Sequence, residues 1–266
     1  MKKHLIISDM DGTLGGLDHN VSEISKQVIR DLLDEGHLFY IATGRMKALI
    51  AQVAQDIDPR VRIVGSNGGI METDDGFEIE SIDYDTTSQI YNIAKQHAVP
   101  ALFFTDRDIL YTNFVPDFFV EPNAYNHGAI VKQIDSAIDL KDFNIINVLF
   151  MAHHLENPET FLDPSREQLL NELDVNVTSS NPGNLEIYAK SVSKGNAVIK
   201  IMKKHSIDPE HVIVFGDGFN DVSMFQVAKT SVAMENAPDG VKKHATHITS
   251  TNTENGVVEF LLNYLK

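Results

Sequence analysis

The sequence predicts an α/β fold: a parallel sheet wrapped by helices, with a smaller α+β domain inserted between two of its parts. Three observations predict it. Short apolar runs alternate with helix-period segments at both ends of the 266-residue chain. The rhythm breaks after residue 80, where two strand-like runs lie too close together for a crossover helix. Acidic and hydroxyl residues stand directly after several apolar runs, which is where ligands bind in open α/β sheets.

The first run, Leu5-Ile6-Ile7-Ser8, reads as a buried strand. Ile24, Val28, Ile29, Leu32 and Leu33 have helical spacing after Ser22 and Glu23, and Gly36 ends that helix. Residues 38–42 form a second strand before Thr43-Gly44-Arg45, residues 46–56 suit a helix, and residues 61–64 a third strand before Ser66-Asn67-Gly68-Gly69. This is a βαβαβ pattern. In the middle region a helix over 86–97 leads to strands over 101–105 and 109–113, which the short connection makes antiparallel. A strand over 145–151, a helix over 165–173 and strands over 175–178 and 185–188 complete a separate α+β domain. The α/β rhythm then resumes with helices over 195–205, 221–228 and 257–265 and strands over 212–215, 231–234 and near Ile248.

At 42% apolar residues the chain can bury a large core. Its formal charge of −16 argues against nucleic acid and anionic membrane surfaces as partners, since both need Lys/Arg patches. There is no cysteine, which removes disulfides, thiolate metal sites and cysteine nucleophiles. No signal peptide is evident and no apolar run approaches the length of a membrane span, so a soluble cytoplasmic protein is expected.

The chemistry concentrates in Asp9-Met10-Asp11-Gly12-Thr13-Leu14, at the mouth of the first strand. In an extended chain, side chains two residues apart share a side, so Asp9 and Asp11 can face one site while Met10 faces away. Two such carboxylates at about 4 Å repel by roughly 4 kcal/mol at an effective dielectric near 20, so a cation or a raised pKa must relieve them. The run is not an EF-hand loop, whose glycine comes sixth and whose closing Glu comes twelfth; here the glycine is fourth and the twelfth residue is Asn20. Thr43-Gly44-Arg45 suits a phosphate oxygen or, standing alone, a helix cap by Thr43. Gly216-Asp217-Gly218-Phe219-Asn220-Asp221 follows another strand, and Lys194 stands just before a helix. Four carboxylates, a lysine and a threonine hydroxyl at one rim call for a hard divalent ion. Mg²⁺, which takes one or two carboxylates and shares a substrate phosphate, fits this set best, although Ca²⁺ also accepts oxygen ligands.

With these four segments in this order around an insertion, the chain resembles the haloacid-dehalogenase-like superfamily, and in particular its Cof-type sugar-phosphatase branch. Asp9–Leu14 match the first motif, Ala42–Arg45 the second, Lys194-Gly195 the third and Gly216–Asp221 the fourth, while Ser66–Gly69 resembles a further segment of that branch. Glu235 departs from the glycine common among relatives. The resemblance implies a Rossmann-like, doubly wound parallel sheet core over 1–82 and 188–266, with an inserted C2B-type cap over 83–187. It implies that Asp9 is the nucleophile and forms an aspartyl-phosphate, and that Asp11 is the general acid/base. Mg²⁺ would be held by Asp9, Asp11 through its carbonyl, and Asp217. Met10, Thr43, Gly44, Lys194 and Asn220 would bind the phosphate, and Asp221 would orient Lys194 or metal-bound water. The expected substrate is a small phosphorylated metabolite, with sugar phosphates the leading class. In the cap, His153, His154, Phe103, Phe104, Phe118 and Phe119 are candidates for substrate contact, most of them expected to be core or surface residues. A phosphomutase would use the same phospho-aspartate, and a receiver-type signalling protein a similar acidic site; halide removal is disfavoured by the acidic pair of the fourth motif.

Overall fold

The computed structural model describes residues 3–17, 20–116, 120, 130–179 and 183–265. It divides into two compact units, Met1–Glu78 with Ser193–Lys266, and Ile79–Val192. Along the chain come β1 (Leu5–Ser8), α1 (Glu23–Asp34), β2 (Leu38–Ala42), α2 (Lys47–Ile57), β3 (Arg62–Gly65), β4 (Ile70–Thr73) and β5 (Gly76–Ile79). Next are α3 (Tyr84–Gln96), β6 (Ala101–Phe104), β7 (Asp108–Tyr111), β8 (Ile130–Gln133), β9 (Asn147–Met151), α4 (Glu159–Glu172), β10 (Val175–Thr178) and β11 (Asn184–Ala189). The chain closes with α5 (Lys194–His205), β12 (Val212–Gly216), α6 (Val222–Phe225), β13 (Thr230–Met234), α7 (Asp239–Lys242), β14 (His247–Thr249) and α8 (Gly256–Tyr264).

The first unit is built on a sheet of order β14-β13-β12-β1-β2-β3-β4-β5. Strands from β14 through β3 are parallel, and β4 turns back antiparallel to β3. Alternation along β1 sends Ile6 into a core with Ile29 and Leu33 of α1, Ile50 of α2 and Leu261 of α8. Leu5 and Ile7 enter the opposite core, with Val198 and Ile201 of α5 and Met224 of α6. Helices therefore cover both faces, the arrangement that lets parallel strands be apolar throughout. At roughly 1.5–3 kcal/mol per fully buried aliphatic side chain, these two layers hold β1 in place, and the polar residues at its end need not.

In the second unit the sheet runs β10-β11-β9-β6-β7-β8. β6 and β7 pair antiparallel, as their short connection requires. Asp83 caps α3 by accepting the Thr86 N–H at 2.9 Å, and Ile90 and Ile93 of α3 pack with Phe103, Phe150 and Leu169. Helix α4 starts at Glu159, ahead of the expected 165, with Pro164 inside it. The proline removes one backbone donor, and Ser165 Oγ bonds the Phe161 carbonyl at 2.7 Å on the same turn. The sequence reading contains no counterpart of β4, β5 and β8; β5 and most of β8 are exposed, so they carry little apolar pattern. Among the described residues no helix is long and apolar enough to cross a membrane.

Helix α5 bears most directly on the polar rim of the first unit's sheet. Ser193 is its N-cap and accepts the Asn196 N–H at 3.0 Å, which makes Lys194 the first helical residue. An added Cβ on Gly195 would lie 2.3 Å from the Ser223 carbonyl oxygen, so only glycine lets α5 seat this closely against α6. Gly195→Ala is therefore expected to destabilise the protein by roughly 1–3 kcal/mol, read as a lower urea midpoint at unchanged slope. An unchanged midpoint would show that α5 can shift freely.

Candidate active site

Residue pairing brings the carboxyl ends of neighbouring parallel strands to one rim. Ser8 of β1 lies between Phe215 of β12 and Ile41 of β2, so Asp9, Gly216 and Ala42 follow side by side. The Asp9 N–H extends the ladder to the Phe215 carbonyl at 3.0 Å. The chain leaves β1 towards β2 on one side and returns through β12 on the other. This reversal of strand order is the point at which α/β sheets open a crevice for ligands.

Lys194 is the centre of that crevice. It is 1% exposed, and its Nζ donates to Asp9 Oδ1 at 2.5 Å and to Asp221 Oδ1 at 2.6 Å. Asp221 is fully buried and uses its other oxygen to accept the N–H groups of Asp217 at 3.0 Å and Gly218 at 2.9 Å. Both its oxygens are thus spent on shaping the loop after β12 and holding the lysine. Asp217 Oδ1 accepts from Thr13 Oγ1 at 2.8 Å. Asp9, Asp217 and Asp221 each offer an oxygen within 4.8 Å of the others. At that separation each carboxylate pair repels by roughly 3 kcal/mol at an effective dielectric near 20. One ammonium cannot balance three carboxylates, so the cluster favours either protons or a further cation. Asp9 and Asp217 each have an oxygen that accepts no hydrogen bond among the described residues, which fits a hard, oxygen-seeking divalent ion.

The same excess of negative charge appears in the protonation of the cluster. Burial drives Asp9 up to about 8, opposed by Lys194 and reinforced by Asp221 and Asp217. Burial also raises Asp217 to about 6, opposed by the Thr13 hydrogen bond and reinforced by Asp221. Burial alone would pull Lys194 down, but Asp221 and Asp9 outweigh it and hold the ammonium above the ordinary lysine value.

The remaining expected residues divide. Asp11 lies at the rim, gripped by a two-point fork from Arg45 that includes an Nε contact to Oδ2 at 2.7 Å. Its carboxylate is not one of the three that offer oxygens within 4.8 Å of one another, although its charge helps to raise Asp217. Thr43 is buried and its Oγ1 accepts the Arg45 N–H at 3.1 Å; α2 is capped at Met46, so Thr43 is not that helix's N-cap. Gly44 faces Asn67, whose amide an added Cβ would meet at 3.5–3.8 Å. Asn220 Nδ2 donates to Asn67 Oδ1 at 3.0 Å. The Met10 side chain is fully buried in the core with Ile6 and Phe215, so only its backbone can serve a phosphate. Phe103 and Phe104 are buried in the second unit, whereas His154 is exposed and stacks on Phe114 at 3.9 Å. Phe118 and Phe119 lie outside the described residues.

Arg45, Asn67 and Thr13 stand inside the motif segments of the sequence, but no role for any of them is read there. Ser66 and Asn67 have φ of 47° and 52°, a left-handed pair rare outside glycine. Their N–H groups bond the carbonyls of Arg45 and Thr43 at 2.9 Å each, folding the end of β3 over the second motif. The adjacent Asn67-Gly68 was the available signal, since asparagine and glycine tolerate that backbone best.

Residues 6–261 match the family model of the haloacid dehalogenase-like hydrolases. The chain belongs to that family. It is 29% identical over 275 residues to a protein of Mycoplasma genitalium named as a phosphatase, covering 98% of each chain. It is 28% identical to a 5-amino-6-(5-phospho-D-ribitylamino)uracil phosphatase of Bacillus subtilis (strain 168), over 99% of this chain and 98% of that one. The fold is similar to that of a solved HAD subclass IIB sugar phosphatase, at 20% identity and a TM-score of 0.82 over 98% of this chain and 99% of the other.

Raised carboxylates make a sign-definite statement about stability. Asp9 and Asp217 bind protons more tightly folded than unfolded, so their contribution is full below about pH 4 and is lost as pH climbs through about 6 and about 8. The metal-free protein in EDTA is therefore expected to melt at a lower temperature at pH 8.5 than at pH 5.5, and Asp217→Asn to shrink that difference. A melting temperature that rises over this range, or an Asp217→Asn variant with the same dependence as wild type, would contradict the assignment.

Proposed function

We propose that this haloacid dehalogenase-like phosphatase hydrolyses phosphate monoesters of small metabolites, sugar phosphates first, through a phosphorylated Asp9. The observation that carries the reading is the buried Lys194 bridge. It holds one oxygen of a strand-end carboxylate by a 2.5 Å bond, and the other oxygen is aimed by the same bond. Mg²⁺ is the cation proposed for the site; Asp9, Asp217 and the Asp11 carbonyl would hold it, and bound there it would neutralise phosphate charge so that an anion can attack.

Asp9 attacks phosphorus, and its Oδ–P bond forms as the bond to the leaving oxygen breaks. Lys194, fixed at the start of α5, and the Thr43 hydroxyl offer positive charge and a donor to the transferring oxygens. Asn220 and the Gly44 N–H complete the phosphate's surroundings. Asp11 gives a proton to the leaving alkoxide, then takes one from the water that cleaves the acyl-phosphate. Asp221 keeps Lys194 in place and does not touch substrate. The Ile79–Val192 unit serves as the cap that selects the part of the substrate beyond the phosphate. The chain's similarity to subclass IIB and ribitylaminouracil phosphatases supports a substrate carrying its phosphate on a sugar or sugar-like chain.

Phosphate release from a panel of sugar phosphates, nucleotides and an aryl phosphate tests the reading. Wild type with Mg²⁺ is expected to release phosphate, EDTA to abolish it, and Asp9→Asn to reduce it by at least ~10³-fold, in line with the loss of a nucleophile. Full activity in Asp9→Asn, or release unaffected by EDTA, would overturn it.

A further inference from the structure

The loop after Asp11 is held by residues from the far end of the chain. Gly12 has a φ of +79°, and an added Cβ there would lie 2.3 Å from Asp217 Oδ2, so the loop runs hard against that carboxylate. The next residue, Thr13, donates to Asp217 Oδ1 at 2.8 Å. Asn236, two residues beyond the end of β13, donates from Nδ2 to the Gly12 carbonyl at 2.8 Å. Its Oδ1 accepts the Asn252 N–H at 3.1 Å. Asn252 in turn donates from its own Nδ2 to the Gly15 carbonyl at 2.8 Å. Two asparagines thus grip both ends of the turn 12–15, and Asn236 spends its amide donor and its amide acceptor on backbone although it is exposed to water. A solvated asparagine gains little from such bonds unless the loop's position matters.

We propose that Asn236, backed by Asn252, is a positioning residue that fixes the Gly12 peptide and so sets Asp11 and Thr13 for phosphoryl transfer. The inference rests on the phosphatase reading, because Asp11 is the acid that protonates the leaving oxygen in it. Asn236 itself touches neither phosphate nor cation. It acts by holding the peptide that links Asp11 to Thr13, and through Thr13 the Asp217 carboxylate. The relay joins Gly12 of the first motif, and Gly15 just after it, to residues 224 and 237 positions away that lie outside all four motifs.

Asn236→Ala removes both bonds, whereas Asn236→Asp keeps an acceptor for the Asn252 N–H and turns an oxygen towards the Gly12 carbonyl. Both variants are to be assayed with Mg²⁺ on a sugar phosphate and on p-nitrophenyl phosphate, alongside circular dichroism and thermal melting. The expected result is a kcat lowered about 10–100-fold on the sugar phosphate, the range for partners that orient site residues, with KM within about threefold. The loss should be smaller on p-nitrophenyl phosphate, whose leaving group needs no acid. Asn252→Ala, which leaves its backbone N–H on Asn236, should show the same pattern more weakly. Variants as active as wild type on both substrates, or equally impaired on both in proportion to the unfolded fraction, would overturn the proposal. A folded wild type that releases phosphate from neither substrate would instead sink the phosphatase reading on which it rests.

Discussion

A single ammonium group buried between carboxylates organises this molecule's site. Taking a lysine out of water is costly unless charge and hydrogen bonds meet it, and removing one partner of such a pair costs on the order of 3–5 kcal/mol. Lys194 is met by Asp9 from the end of β1 and by Asp221 from the loop after β12. Those two segments lie on adjacent strands, and the lysine comes from the first turn of α5. Three elements distant in sequence are therefore locked to one point. The lock in turn leaves more negative than positive charge around the lysine, an imbalance that suits a cation.

The sheet supplies what the lock cannot. Apolar residues of β1 face two separate cores, so the strand's end is fixed by packing before any polar contact is made. The reversal of strand order beside β1 then leaves room at the rim, since the chain departs to opposite sides there. Around that rim the polar residues satisfy one another in pairs: Asp11 with Arg45, Asp217 with Thr13, and Asn220 with Asn67. Each pair joins two different strand ends. The result is a charged rim whose groups are cross-braced by hydrogen bonds, and fixed donors and charges are what electrostatic catalysis requires.

Much of this is legible in the sequence, and the reasons are physical. β1, β2 and β12 are apolar runs too strong to mistake, and Asp9 and Asp11 share a side by the two-residue period of a strand. The role of Lys194 at a helix start is readable only through the family resemblance, because nothing local distinguishes it from a surface lysine. Arg45 and Asn67 stand in the motif segments, yet their roles, like that of Asn236, are not readable locally because their partners lie 34, 153 and 224 positions away. Hydrogen bonds of that reach leave no periodicity. Helix α4 reads short in the sequence because a proline ordinarily bounds a helix, whereas this one accommodates Pro164 at the cost of one backbone bond. Met10 is expected to serve the phosphate, yet its side chain is core, in agreement with the alternation that turns it away from Asp9.

Asp9 and Asp221, buried on the Lys194 ammonium, and the partly buried Asp217 beside them make a candidate site for a divalent cation. Calorimetric titration of the metal-free protein with Mg²⁺ tests it most directly, on wild type and on Asp217→Asn, at pH 6 and pH 8. One ion is expected to bind per chain, more tightly at pH 8 because the raised carboxylates must lose their protons to bind it, and at least about tenfold more weakly in Asp217→Asn. Absence of saturable binding, or binding that is indifferent to both the substitution and the pH, would contradict it.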